Sequence, residues 1–89
     1  MTLIEELKEA LLDEGYGDSV VLENPDYATA VIGRSEDGRL IYSYEKMVEF
    51  LMVTDGMSRE DAIEFVDYNT IRALPYMGER APIIMYEIK

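Results

Sequence analysis

Residues 27–43 read YATAVIGRSEDGRLIYS, and this stretch decides the fold class of the chain. From Tyr27 to Gly33 the side chains divide between two faces with the two-residue period that is typical of a strand. Ser35-Glu36-Asp37-Gly38 then reads as a hairpin loop in which Gly38 takes the positive φ of a bulged turn. We therefore expect residues 39–43 to return as a second, antiparallel strand.

The segment before this hairpin is expected to form one helix and one further strand. Thr2-Leu3-Ile4-Glu5 is a capping box that opens an apolar stripe at helical spacing, and Gly15 ends the helix. Ser19–Leu22 is a short β-branched run, closed by the turn sequence Asn24-Pro25-Asp26. Together with the hairpin it predicts an antiparallel meander of three strands.

Two helices are predicted after the hairpin. Ser43 has the side chain of an N-cap, and the apolar residues that follow it trace one helical face as far as Met52. Asp55-Gly56 ends this helix. Ser58-Arg59-Glu60-Asp61 resembles a second capping box and opens a helix that is expected to run to about Tyr68.

The C-terminal part is predicted to contain a short helical turn and a last strand. The turn covers Thr70 to Leu74, and Ala81-Pro82 leads into a strand over residues 83–88 that is apolar enough on both faces to lie inside a sheet. The order α-β-β-β-α-α-β, with residues 1–89 as a single domain, predicts an α+β fold. Its sheet has three or four mainly antiparallel strands, with helices packed on one face.

Charge is the unusual property of the composition. The chain has 19 acidic and 8 basic residues, which gives a net charge of -11. Such a surface repels nucleic-acid phosphates and anionic lipids, so direct binding to nucleic acid or membrane is not expected. It attracts basic protein surfaces, including the grooves with which other proteins hold nucleic acid. The alternative interpretation is that the acidity only maintains solubility.

Catalytic chemistry finds little support in the sequence. There is no cysteine and no histidine, and no glycine pattern suited to a phosphate loop. The carboxylates fall on solvated helix faces, whereas a catalytic carboxylate needs burial or a like-charged neighbour in a cleft. We therefore predict no catalytic residue, no metal site and no cofactor, and a protein that is not an enzyme.

The location is expected to be the cytoplasm. The N-terminal residues lack the basic start and apolar run of a signal peptide. The sequence also has no apolar stretch approaching the ~20 residues that span a bilayer.

One candidate partner-binding site is an acidic ridge on the third helix. It is formed by four carboxylates at helical spacing, Glu60, Asp61, Glu64 and Asp67. Like charges three and four residues apart repel and lower the stability of a helix slightly. Either solvent screens this repulsion, or a basic partner relieves it.

A second candidate site is residues 69–78, NTIRALPYMG, ten residues without an acid. In a functional interpretation Arg72, Tyr76 and Met77 form an exposed amphipathic patch of the kind found at interface hot spots. In a structural interpretation Asn69 or Thr70 caps the short helical turn, and Arg72 pairs with a carboxylate such as Asp67 or Glu79. The two interpretations are compatible.

This segment also carries a resemblance. Residues 69–78, continued by ERAPII at 79–84, resemble a recurrent ending of short uncharacterised proteins from Gram-positive bacteria and their phages or mobile elements. The likeness extends from about Met47 to the C-terminus. It implies no activity, cofactor or catalytic residue, and favours an accessory protein of a mobile element.

Three functions follow as hypotheses. The leading one is a small protein-binding module that inhibits a nucleic-acid-binding protein by acidic mimicry. The second is a structural or regulatory homo-oligomer, such as a homodimer, that uses the apolar faces around Tyr42, Tyr44, Tyr76 and Tyr86. The third and most remote is a hydrolase that depends on paired carboxylates.

Overall fold

The computed structural model describes residues 3–13, 15, 20–22 and 25–88. Its regular helices and strands are α1 (Leu3–Asp13), β1 (Val31–Arg34), β2 (Leu40–Ser43), α2 (Tyr44–Thr54), α3 (Arg59–Phe65) and β3 (Ile83–Met85). A 3-10 turn (Ala28–Ala30) precedes β1, and α3 continues as a π-helical segment (Val66–Thr70) and a 3-10 helix (Ile71–Tyr76). The fold is α+β, as predicted, and the element order roughly matches.

The sheet has the strand order β1-β2-β3 and is mixed. β1 and β2 form the predicted antiparallel hairpin, in which Gly38 has a φ of +87°. β3, however, lies parallel to β2, with Ile41 opposite Ile83. A parallel neighbour requires a crossover, and α2, α3 and the helical segments after α3 provide it. The expectation of a mainly antiparallel sheet is corrected to this extent.

β3 lies at an edge of the sheet, not inside it as predicted. It is hydrogen-bonded to β2 alone among the described strands. Its apolar residues on both faces therefore do not reflect strands on both sides.

The strand predicted at Ser19–Leu22 does not appear in the described part of that range. Ser19 lies outside the described residues, as do Thr2 of the expected capping box and Asn24 of the expected turn. Residues 20–22 have no regular structure, although Leu22 is buried. The Leu22 N–H donates to the Tyr42 hydroxyl oxygen at 3.1 Å, so a side chain takes the place of a strand partner.

The beginning of the predicted strand at residue 27 is also different, because Tyr27 adopts a left-handed conformation with φ 46° and ψ 32°. Its side chain is only 1% exposed, and its hydroxyl forms a hydrogen bond with Thr70 Oγ1 at 2.9 Å. The ring also packs against Phe50, with centroids 5.6 Å apart. Left-handed backbone is unfavourable for a tyrosine, so burial and this hydrogen bond must outweigh local preference.

Both predicted helix caps after the hairpin are confirmed. Ser43 Oγ accepts from the Lys46 N–H at 3.2 Å, and Ser58 Oγ accepts from the Asp61 N–H at 3.1 Å. The end of α2 is also as predicted, with Asp55 as its C-cap and Gly56 in the left-handed region. These signals are local, which explains why the sequence alone predicted them.

The core lies between the helices and one face of the sheet, which we call the inner face. It is built mainly from β2, α2 and the helical run that begins at α3. Its fully enclosed apolar side chains are Tyr27, Ala30, Leu40, Tyr42, Met47, Val48, Leu51, Ala62 and Val66. Because side chains alternate along a strand, Ile41, Ile83 and Met85 point to the opposite side, which we call the outer sheet face. None of these three belongs to the core cluster.

The C-terminal segment is fastened to the start of α2 by Glu87. Its Oε2 accepts from the hydroxyl of Ser43 at 2.8 Å, and its Oε1 accepts from the Glu45 N–H at 3.5 Å. A carboxylate at a helix N-terminus is favoured by the unpaired N–H groups and by the helix dipole. The Ser43 hydroxyl thus serves as an N-cap and as an anchor for the chain after β3.

This double role predicts a difference between the two N-cap serines. Ser43→Ala removes the cap and also the shorter of the two hydrogen bonds to the Glu87 carboxylate, so we expect a loss of about 2 kcal/mol in the free energy of unfolding. Ser58→Ala removes only an exposed cap and should cost about 1 kcal/mol. Urea denaturation followed by circular dichroism measures both. Equal losses would show that the contact with Glu87 adds nothing to stability.

Candidate functional site

The acidic ridge lies on α3 and the π-helical segment that continues it. The side chains of Glu60, Asp61, Glu64 and Asp67 are all exposed. In the described part of the chain, no lysine or arginine nitrogen lies within 4.0 Å of the carboxylates of Glu60, Asp61 or Glu64. Their negative charge is therefore offered to solvent or to a partner.

Two of these carboxylates border a shallow depression. Asp61 and Glu64 share it with Met57, Phe65, Tyr68 and Asn69, and its volume is about 430 Å³. Asp61 and Glu64 of α3 and Tyr68 of the π-helical segment follow each other at helical spacing. The depression therefore combines carboxylates with aromatic and sulfur-containing side chains, and it is open to solvent.

Asp67 has a different environment from the other three acids. It accepts a hydrogen bond from the Tyr44 hydroxyl at 2.8 Å, which links the π-helical segment to the first residue of α2. Burial, together with the hydrogen bond to Asp67 and the charge on that carboxylate, raises the pKa of Tyr44 to about 12. The Tyr44 ring also lies against that of Tyr86, with centroids 4.9 Å apart and planes inclined by 30°.

One ion pair connects α2 to the beginning of the ridge. The two terminal nitrogens of Arg59 donate to the two carboxylate oxygens of Glu45, at 2.7 and 2.9 Å. The hydrogen bonds that Arg59 donates to Glu45, and the negative charge on that carboxylate, raise the pKa of Arg59 above its ordinary value. Arg59 is the basic residue closest in sequence to the ridge. Because it is engaged with Glu45, it does not neutralise the negative charges of Glu60 and Asp61.

The acid-free segment differs from the structural interpretation, whereas Arg72 and Tyr76 are exposed as the functional interpretation expects. The Arg72 guanidinium lies over the Tyr68 ring, 5.5 Å from its centroid, and is not paired with Asp67 or Glu79. Such an arrangement is a cation–π contact. Arg72 therefore lies beside the ring that also lines the depression.

Neither Asn69 nor Thr70 caps a helical turn. The Asn69 side chain donates to the carbonyl oxygen of Phe65 at 3.2 Å, and Thr70 is buried against Tyr27. The helical run continues through both residues as a π-helical segment, so no new helix begins there that would need a cap.

The other two residues proposed in this segment, Tyr76 and Met77, differ in exposure. Tyr76 is 90% exposed and is available to a partner. Met77 is half-buried, packs against the core, and lines a separate hollow beside Tyr27 and Thr70. Met77 therefore contributes more to packing within the chain than to a surface that a partner could contact.

The tyrosine surface considered for a homo-oligomer needs correction at one position. Tyr42 is fully buried, because it lies on the inner face of β2 and its hydroxyl accepts from Leu22. It cannot contribute to a contact between copies. Tyr44 and Tyr86 do form a pair at the surface, where Tyr86 is 57% exposed.

No protein-family model, curated protein or solved structure matches this chain. Its candidate site is therefore argued from geometry alone. Within the described ranges, no helix has the length and apolar character required to cross a membrane. The same residues contain no group of three or more acidic side chains placed to hold a metal ion.

Sequence reasoning missed the aromatic part of the site. Tyr68 was expected only as the end of a helix, yet it stands between Glu64 and Arg72 at four-residue intervals in the helical run. That spacing is visible in the sequence and could have identified it. Glu87 carried no such signal, because its partners are 42 and 44 residues away.

The contact between Tyr44 and Asp67 predicts a measurable titration. The pKa of Tyr44 is raised above its ordinary value of 10.0 in the folded chain, so the unfolded chain loses this proton at a lower pH. The free energy of unfolding therefore falls as the pH rises from about 10 to about 12. Asp67→Asn removes the charge but leaves the burial, so it should lower the pKa of Tyr44 only part of the way towards 10. Carbon-13 NMR of the tyrosine rings measures this, and Tyr44→Phe assigns the resonance. An unchanged pKa in Asp67→Asn would contradict the hydrogen bond.

Proposed function

We propose that this chain is a small acidic binding module that uses the ridge on α3 to hold a basic surface of another protein. The observation that carries the proposal is the exposure of Glu60, Asp61 and Glu64 without a basic counterpart among the described residues. A cationic surface that approaches the ridge relieves the repulsion among these carboxylates. This relief contributes favourably to the free energy of binding.

The depression beside the ridge supports a protein partner with exposed arginine or lysine. A guanidinium or ammonium group that enters it meets the carboxylates of Asp61 and Glu64 and the ring of Tyr68. Carboxylates and aromatic faces both attract such cations. The chain already shows one such contact, between its own Arg72 and Tyr68.

A nucleic-acid-binding protein is the class of partner that this charge pattern favours. Glu60 and Glu64 are separated by about 6 Å along the helix axis, and Asp67 continues the row. A regular row of negative charges on a rod imitates a phosphate backbone to a basic groove. The chain would then inhibit its partner by occupying that groove, and would itself bind neither nucleic acid nor membrane, because its net charge is -11.

A binding role also suits the site better than catalysis. Asp61 and Glu64 are a pair of acids beside one depression, which is the arrangement that the hydrolase hypothesis requires. Both side chains are exposed, however, and neither is desolvated in the way that acid–base catalysis demands. The resemblance of the C-terminal half favours an accessory protein of a phage or mobile element that acts in the host cytoplasm.

The experiment compares two triple variants that remove the same charge. Glu60→Gln/Asp61→Asn/Glu64→Gln neutralises the ridge, whereas Glu5→Gln/Glu6→Gln/Glu9→Gln neutralises three exposed carboxylates of α1. Tagged protein is incubated with a Gram-positive bacterial lysate at low salt, and captured proteins are identified by mass spectrometry. We expect the wild type and the α1 variant to retain a nucleic-acid-binding protein, and the ridge variant to lose it.

Two further measurements examine the mechanism of binding. Raising the salt to about 0.5 M should release the partner, because an electrostatic interface between exposed charges is screened at that concentration. An excess of duplex oligonucleotide should displace the acidic module if both occupy the same groove. Equal retention by the two triple variants, or capture that is insensitive to nucleic acid, would contradict mimicry by the ridge.

A further inference from the structure

The outer sheet face is apolar where an uncovered sheet face is normally polar. Ile41 of β2 lies beside Ile83 of β3, and Met85 follows on the same side. All three are partly exposed and lie outside the core cluster, and Ile32 in β1 is 44% exposed. An antiparallel hairpin with one free face usually places polar side chains there. An apolar face that remains partly exposed in the described part of the chain is a surface that a partner can cover.

The row of side chains on the outer sheet face is interrupted at Gly33. Gly33 of β1 is paired with Ile41, so no side chain flanks Ile41 on the β1 side. A Cβ atom placed on Gly33 would meet no heavy atom within 4 Å, apart from its chain neighbours. The register of β1 also shifts between Val31 and Gly33, which is the pattern of a β-bulge, and leaves space beside the apolar row.

Charge is distributed so that two copies can meet at this face. The eleven residues of the three strands carry a single charge, that of Arg34, whereas α1, α2 and α3 together carry nine of the 19 acids. Two stacked sheets are about 10 Å apart, and the helices lie behind them. The acidic helices of two copies would then be separated by more than the Debye length of about 8 Å.

We propose that a second copy of this chain covers the outer sheet face, so that the protein is a homodimer with two sheets packed face to face. In a two-fold arrangement the same patch serves both copies, and an apolar residue of each can pack over the position of Gly33 in the other. This surface differs from the tyrosine faces considered from the sequence.

The polar ends of the face are complementary under the same symmetry. Arg39 stands at one end, where its Nε donates to the carbonyl oxygen of Ala81 at 2.7 Å, and Glu87 stands at the other end beside Ser43. A two-fold axis that lies in the interface and runs across the strands brings Arg39 of one copy towards Glu87 of the other. Opposite charges at the rim therefore set the orientation in which the strands run antiparallel across the interface.

Sedimentation equilibrium of the purified chain tests the proposal. We expect a dimer at about 50 µM that persists in about 0.5 M NaCl, because apolar burial is not weakened by salt screening. Ile41→Glu places a charge in the centre of the face and should raise the dimer dissociation constant at least roughly tenfold. Val53→Glu makes the same kind of change at an 83% exposed position of α2 and should leave the dimer intact.

A second variant guards against misfolding of the first. Met85→Glu changes the last residue of the edge strand, outside the core cluster, and should also weaken the dimer while circular dichroism remains that of the wild type. A wild-type monomer at this concentration would overturn the proposal. So would a dimer that Ile41→Glu and Met85→Glu leave unchanged, since the copies would then meet elsewhere. The proposed binding of a basic partner is unaffected by either result, because the ridge is on α3 and its binding is lost in salt.

Discussion

The hydrogen bonds around Ser43 join three parts of the molecule, and the arrangement of the rest depends on them. Ser43 is the last residue of β2 and the cap of α2, and its hydroxyl also holds the Glu87 carboxylate. The parallel position of β3 is therefore fixed at its carboxyl end by a polar contact as well as by the strand pairing. Because Ser43 is 1% exposed, this contact is shielded from competing water.

A second connection extends from this junction to the ridge. Tyr44, the first residue of α2, contacts Tyr86 after β3 and donates to Asp67 in the π-helical segment. Arg59 reinforces it from the beginning of α3 through its bidentate pair with Glu45. The start of α2 is thus the common support for the edge of the sheet and for the acidic surface. The proposed interface on the acidic ridge belongs to the helices, and the proposed dimer interface belongs to the sheet. Both are supported by the same few residues at the start of α2.

The parts of the fold that the sequence predicted are those governed by local chemistry. The hairpin at residues 35–38 and the serine caps of α2 and α3 depend on residues within a few positions of one another. The incorrect predictions concern residues whose conformation depends on partners far away in the sequence. Tyr27 leaves the strand pattern because Thr70, 43 residues away, holds its hydroxyl in the core. The parallel pairing of β3 likewise depends on a crossover of some 40 residues, which no local pattern encodes.

For the site, helical spacing predicted which acids share a surface, but not which groups accompany them. All four ridge carboxylates are exposed, and Asp67 is distinguished only by a tyrosine from another helix. The division between acidic helices and nearly uncharged strands was visible in the sequence. That the strands share an apolar outer face, which is suited to an interface, became evident only from the structure. The strand at residues 83–88 was predicted to lie inside the sheet, because apolar residues on both of its faces are typical of a buried strand.

The left-handed backbone at Tyr27 has an evolutionary consequence. A residue with a side chain tolerates this conformation only while something compensates for the strain, and here the compensation is the buried hydrogen bond to Thr70. Loss of either hydroxyl leaves the other buried without a partner, so single substitutions at these positions are expected to destabilise the fold. Homologues are therefore expected to retain both residues or to replace them together, because a smaller residue at position 27 would relieve the backbone strain but leave a cavity in the core. This covariation would identify distant relatives even where the acidic surface has diverged.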